Sequence, residues 1–207
     1  MANWIDHLVL AAPSLESGIE QVHLLTGTAP VFGGRHEGAG THNALLSLGA
    51  PSYLEVLAPD PEQPSTRSAL LGDDDLTVPR LHGFAVGCDD LDAAVSELRA
   101  AGTAEVSDPF AMTRRQPDGS DLAWRLAFIG GTVGGARPFL ISWGTTTSPA
   151  ESAPVGGHLV ALCAGDPEPT AVSRTLEVLE IDVVVEESPT RWLRATIETP
   201  AGTVELN

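Results

Sequence analysis

Ile5-Asp6-His7-Leu8-Val9-Leu10-Ala11, followed by Ala12-Pro13-Ser14 and a helix-patterned segment ending at Gly27, is the stretch whose reading decides the fold. Residues 5–11 are mostly apolar over a length that suits a buried strand. Pro13-Ser14 turns the chain, and Leu15, Ile19, Val22 and Leu25 then recur at helical spacing. Ser14 is placed to cap that helix and Gly27 to stop it. The layout returns at residues 83–86, with a turn at Asp89-Asp90 and a helix through Leu91, Ala94, Val95 and Leu98 to Gly102. A shorter copy starts at residues 158–162, turns at Gly165-Asp166-Pro167 and has a helix over about 170–179.

Strand-like segments follow each helix: residues 31–34, 43–48 and 53–57; then 104–106, 122–128 and 139–143; then 182–186, 191–198 and 203–206. The fold class read from this is α+β, with repeated βαβββ modules over residues 1–60, 80–145 and 157–207. They form curved, mostly antiparallel sheets with helices on the outer face, and Pro/Gly/Ser/Asp-rich linkers lie near 59–79 and 145–157. One module leaves an apolar face and free edges and must pack on another. Three cannot pair evenly, so one is an add-on or pairs with its counterpart in a second chain, which makes a homodimer an expectation.

A net charge of −17, from 28 acidic against 11 basic residues, repels nucleic acid and anionic membrane surfaces over most of the exterior. Both are therefore discounted as partners, while an acidic exterior says little about a pocket. Cys88 and Cys163 have no neighbouring thiol at metal or redox spacing. The start of the chain lacks a basic leader, and the apolar run at 8–12 is too short to span a membrane, so the expected location is the cytoplasm.

Asp6-His7-Leu8-Val9-Leu10-Ala11-Ala12-Pro13, the run from Gly33-Gly34-Arg35-His36 through Gly40-Thr41-His42-Asn43, and Ser52-Tyr53-Leu54-Glu55-Val56-Leu57-Ala58-Pro59-Asp60 together resemble the glyoxalase-like group of the vicinal oxygen chelate superfamily. The resemblance covers nearly the whole chain. It implies a divalent metal held in a cupped sheet by a histidine of a module's first strand and a glutamate of its last, by position His7 and Glu55. Strand alternation agrees: His7, Val9 and Ala11 share one face, and Tyr53, Glu55 and Leu57 another. The alternative is that Glu55 faces solvent or pairs with an arginine while His7 merely ends a strand.

The second module departs from the implied pattern. Gly83 stands where His7 does in the first, with His82 one residue early, and Ile141 stands opposite Glu55. The third opens with His158, also one position early, and supplies Glu205 on its closing strand. His42 and His36 are the local supplements as metal ligands, and His42 is preferred. The glycines at 33, 34, 38 and 40 either admit a ligand close to backbone or simply shape a hairpin. Asn43, Arg114, Trp124 and Trp143 are the candidate substrate-binding residues, Arg114 because guanidinium pairs well with carboxylate or phosphate. For Arg114-Arg115 the competing reading is a solvated pair beside a turn, and for the tryptophans it is core packing.

Two functions stay open. In one, a metal held by His7, Glu55 and His42 stabilises an enediolate-like anion while Glu205 moves a proton, as in the lyases, isomerases and dioxygenases that the resemblance implies. In the other, paired modules trap a small molecule without metal, which the incomplete second module favours. A purely structural sheet is a third, since fold does not dictate function.

Overall fold

The computed structural model describes residues 3–63, 71, 76–116, 118–131 and 133–207. Its first half-sheet runs β1 (Asn3–Ala11), α1 (Leu15–Thr26), β2 (Val31–His36), β3 (Thr41–Ser47) and β4 (Tyr53–Pro59). The second runs β5 (Arg80–Cys88), α2 (Leu91–Ala101), β6 (Phe110–Arg115), β7 (Asp121–Phe128) and β8 (Phe139–Ser142). These strands close a barrel in the order β1-β4-β3-β2-β6-β7-β8-β5. Each half places its first strand parallel to its last, β1 beside β4 and β5 beside β8. The halves join along the long antiparallel β1–β5 pairing and, across the barrel, through one β2–β6 pair, Arg35 with Arg115.

Beyond a short 3-10 helix at Pro149–Glu151 come β9 (His158–Asp166), α3 (Pro169–Val178), β10 (Val184–Glu187), β11 (Trp192–Thr199) and β12 (Gly202–Leu206). They form a separate four-stranded sheet, ordered β10-β9-β11-β12. The element order repeats that of the earlier halves, but the wiring differs: β9 lies between β10 and β11 instead of beside the last strand. All pairings are antiparallel except β1 with β4, β5 with β8 and β9 with β10.

Alternation sorts the side chains. Leu8, Leu10, Leu54, Val56, Phe84 and Val86 point outward into a core they share with α1, α2, α3 and the separate sheet, through Leu91, Leu98, Val172, Leu193 and Ile197. Val9, Ala11, Leu57, Ala85, Trp124 and Ile141 point into the barrel. The strands of the β1–β5 seam are covered on both faces and read as apolar runs for that reason. The separate sheet packs on the outside of this seam: Leu81 N–H donates to Asn207 O at 2.8 Å, and Asn3 Nδ2 to Leu179 O at 2.9 Å.

Ser14 caps α1 by accepting from Ser17 N, and Gly27 ends it with φ 75°. The expected strand at 104–106 is reduced to one bridge, Val106 with Ile129, and the pairing strand is β6. The stretch near 145–157 is less of a linker than expected. It docks on β3, where Ser47 Oγ donates to Ala150 O at 2.8 Å, and Ala150 is buried. In the other expected linker, residues 64–70 and 72–75 lie outside the described residues.

Gly18 marks the closest approach of α1 to the barrel, since a Cβ there would lie 2.3 Å from Val56 Cγ1 and 2.9 Å from Ala12 Cβ. Gly18→Ala sets a helix-propensity gain of about 1 kcal/mol against an overpacking cost of about 1–3 kcal/mol. Both neighbours are short, buried side chains with no room to swing away, so we expect overpacking to win and the denaturation midpoint to fall. An unchanged or raised midpoint in urea would show that α1 can slide outward freely.

Candidate functional site

The barrel interior holds a cavity lined by strands of both halves. Its two walls differ in character. The first half-sheet contributes His7, His36, Asn43, Tyr53 and Glu55; the second contributes mostly apolar groups, among them Met112, Trp124, Leu126, Phe139 and Ile141, plus Arg114. Trp143, just beyond β8, lies 5.6 Å from Trp124 between ring centres.

His7 owes its setting to a bulge. Ile5 pairs with Val86 and His7 with Ala85, which leaves Asp6 as the extra residue. Asp6, fully buried, accepts from Trp143 Nε1 at 3.0 Å and meets His7 Nδ1 at 2.7 Å. A carboxylate accepts only, so this contact makes Nδ1 the protonated nitrogen and leaves Nε2 facing Glu55. Tyr53 stacks on the imidazole at 4.7 Å, and Phe139 meets it edge-on at 5.4 Å.

Glu55 sits at the centre of the polar wall and is 8 % exposed. Its Oε2 lies 3.7 Å from His7 Nε2, and its Oε1 lies 3.9 Å from His36 Nε2 and accepts from Asn43 Nδ2 at 2.6 Å. Burial works to raise this carboxyl, but His7, His36, the Asn43 hydrogen bond and Arg114 together outweigh it and hold the group below the usual carboxylate range. Burial pushes the His36 imidazole down, with Arg114 adding to the effect and Glu55 opposing it. Burial also raises the Tyr53 phenol well above its ordinary value, assisted by Asp6 and Glu55, so it stays a neutral donor.

Of the residues singled out in the sequence, His7, Glu55, Asn43, Arg114, Trp124 and Trp143 come together around the cavity. His42 and Glu205 do not line it. His42 follows β3 alternation to the opposite side from Asn43, near Phe32. The inward histidine is His36, whose Nδ1 contacts Thr41 Oγ1 at 2.9 Å. Glu205 is exposed on β12, in the sheet outside the barrel. Arg114 was readable as part of a solvated pair, but β6 splits that pair. Arg114 turns inward and is 4 % exposed, while Arg115 turns outward to Asp121. Asp6 was missed; a carboxylate directly before the strand histidine, in an apolar run, was the available signal.

These residues fit a divalent metal poorly. His7 and His36 approach different oxygens of Glu55, one of those oxygens is already bonded to Asn43, and the facing wall offers a guanidinium and apolar groups. Among the described residues no three His, Cys, Asp or Glu side chains form a metal-holding group.

The shifts set a direction for acid stability. The Glu55 carboxyl is lower in the fold than in the unfolded chain, so its stabilising contribution is complete above about pH 4.3 and is lost as pH falls through the folded value. The lowered His36 acts in the same sense at higher pH: the unfolded chain gains its proton first, so stability declines as pH falls below about 6.5. Urea midpoints from pH 7 to 3.5 are expected to fall, with the low-pH part of the loss smaller in Glu55→Gln. Equal slopes in both proteins would contradict an ionised Glu55.

A sequence model of the family described as glyoxalase-like domain matches residues 5–180. A hypothetical protein from Staphylococcus aureus superposes with a TM-score of 0.65 at 17% identity, covering 98% of this chain and 84% of that one, which is a likeness of fold. A Streptomyces coelicolor methylmalonyl-CoA epimerase in complex with 2-nitronate-propionyl-CoA is 25% identical, with a TM-score of 0.48 over 70% of this chain and 97% of its own. The Mycobacterium tuberculosis methylmalonyl-CoA epimerase is also 25% identical, with a TM-score of 0.48 over 67% of this chain and 86% of that one. Neither epimerase is near enough to bear on the chemistry of this chain. No curated protein matches it in sequence. No helix among the described residues is long and apolar enough to cross a membrane. With the family match spanning most of its length, the chain belongs to the glyoxalase-like domain family.

Proposed function

We propose that the chain takes up a small molecule with adjacent oxygens inside the barrel and moves a proton on the carbon beside its carbonyl, an isomerase or lyase reaction in which Glu55 is the base. The observation that supports this most is Glu55 itself: a carboxylate kept ionised in a largely apolar cavity, with two imidazoles within 4 Å. A buried, ionised carboxylate facing a pocket is in the protonation state needed to accept a proton from carbon. Glu55 takes the proton, the C–H electron pair moves toward the carbonyl oxygen to give an enolate, and the proton returns to carbon. His7, backed by Asp6, is positioned to exchange that proton with Glu55.

The aromatic wall of Trp124, Trp143 and Phe139 favours a second reading, a protein that sequesters a small molecule and leaves it unchanged. Deuterium uptake from D2O into a panel of carbonyl compounds, followed by NMR, separates the two. We expect uptake with wild type and a loss of about 100-fold or more in Glu55→Gln. Tight binding with no uptake by any member of the panel would establish sequestration instead.

The divalent-metal reading implied by the family is tested by elemental analysis after separate soaks with zinc, manganese, iron, nickel and cobalt. We expect well below one equivalent. One equivalent that Glu55→Ala loses would reinstate His7 and Glu55 as metal ligands.

A further inference from the structure

Arg114 is nearly enclosed in the barrel wall, yet its guanidinium, with five N–H donors, has one acceptor among the described residues, Asn43 Oδ1 at 3.0 Å. Its Nε donates to no atom of the described residues. Elsewhere in this acidic chain arginines are matched to carboxylates: Arg35 to Asp60, Arg99 to Asp108, Arg125 to Asp92 and Arg137 to Glu168. A buried cation without such a partner is costly. Glu55 lies in the same cavity, but Asn43 stands between the two, donating to Glu55 Oε1 and accepting from Arg114 Nη1. The amide keeps apart two charges that would quench each other as an ion pair.

The backbone makes room for this arrangement. A Cβ on Gly33 would lie 2.5 Å from Asn43 Oδ1 and 2.9 Å from Arg114 Nη1, and one on Gly34 would lie 3.0 Å from Arg114 Cγ. Two consecutive positions of β2 thus go without side chains where the arginine crosses from β6.

We propose that Arg114 anchors an anionic group of the ligand, and that the ligand is a small monocarboxylate with an apolar, ring-sized body. Arg114 is the one permanent cation among the described lining residues, so it matches a single negative charge, whereas a phosphate dianion beside Glu55 would be left undercompensated. Trp124, Trp143, Phe139 and Met112 supply the apolar surface for the body. The inference rests on the reading of this cavity as a ligand site and names the class of molecule it takes; Asn43 is a positioning residue.

The test is titration followed by tryptophan fluorescence, with benzoate and phenylacetate set against their neutral amides, benzamide and phenylacetamide. Each acid is expected to bind about tenfold or more tightly than its amide. The preference should disappear in Arg114→Met and shrink in Gly33→Ala, which keeps the arginine but displaces it. Equal binding of acids and amides, no binding of either acid, or a preference unchanged in Arg114→Met overturns the proposal. Should Arg114→Met not fold, the wild-type melting temperature decides: raised by the acids and not by the amides if Arg114 is the anchor, raised equally or by neither if it is not. In Glu55→Gln the acid preference should persist while deuterium uptake is lost. Failure of the proton-transfer reading is thereby distinguished from failure of the anion anchor.

Discussion

The antiparallel pairing of β1 with β5 holds the two halves of the barrel together, and much of the site depends on it. This seam is covered on its outer side by the separate sheet and on its inner side by the cavity contents. It is also where the bulge at Asp6 falls. Without that extra residue, alternation would send Asp6 and His7 to opposite faces. With it, Asp6 reaches His7 and Trp143, fixing one ring from each half of the barrel through a single carboxylate.

The opposite join, between β2 and β6, has a different character. A single pair links the strands there, and the join is reinforced by side chains crossing it: Arg114 from β6 reaches Asn43 on β3, which in turn holds Glu55 on β4. A polar chain buried in a low-dielectric interior is stable when its members satisfy one another. Here it is satisfied at the Glu55 end and open at the Arg114 end. That asymmetry, more than the presence of either charge, distinguishes this cavity from a structural ion pair.

Periodicity carried most of the fold. The strand at the start of each unit, the capped helices and the closing strands were legible because apolar spacing and turn residues agree there, as at Ser14 and Gly27. Strand β6 was not legible: Phe110-Ala111-Met112-Thr113-Arg114-Arg115 alternates, but its inward set includes an arginine, which reads as solvent-facing until the barrel closes around it. The wiring of the last sheet was equally hidden, because element order does not determine which strands become neighbours. Within the site, His7 and Glu55 were indicated by the family resemblance, and alternation on β1 and β4 agreed with it. His42 stands in the outward phase of β3, where one residue separates the cavity from the outer face. Asp6 escaped notice because a bulge suspends the rule by which such residues are sorted.

The tight packing of Gly33 and Gly34 against Arg114 has a consequence for how such a barrel can change over generations. Positions 33 and 114 are far apart in the chain but compete for the same space. A side chain at 33 takes space from both Asn43 and Arg114, whereas Gly34, with φ 142° and the Arg115 carbonyl 2.3 Å from a Cβ built there, stays required whatever stands at 114. Among descendants of this sequence a glycine lost at 33 should accompany a changed residue at 114, while the glycine at 34 stays.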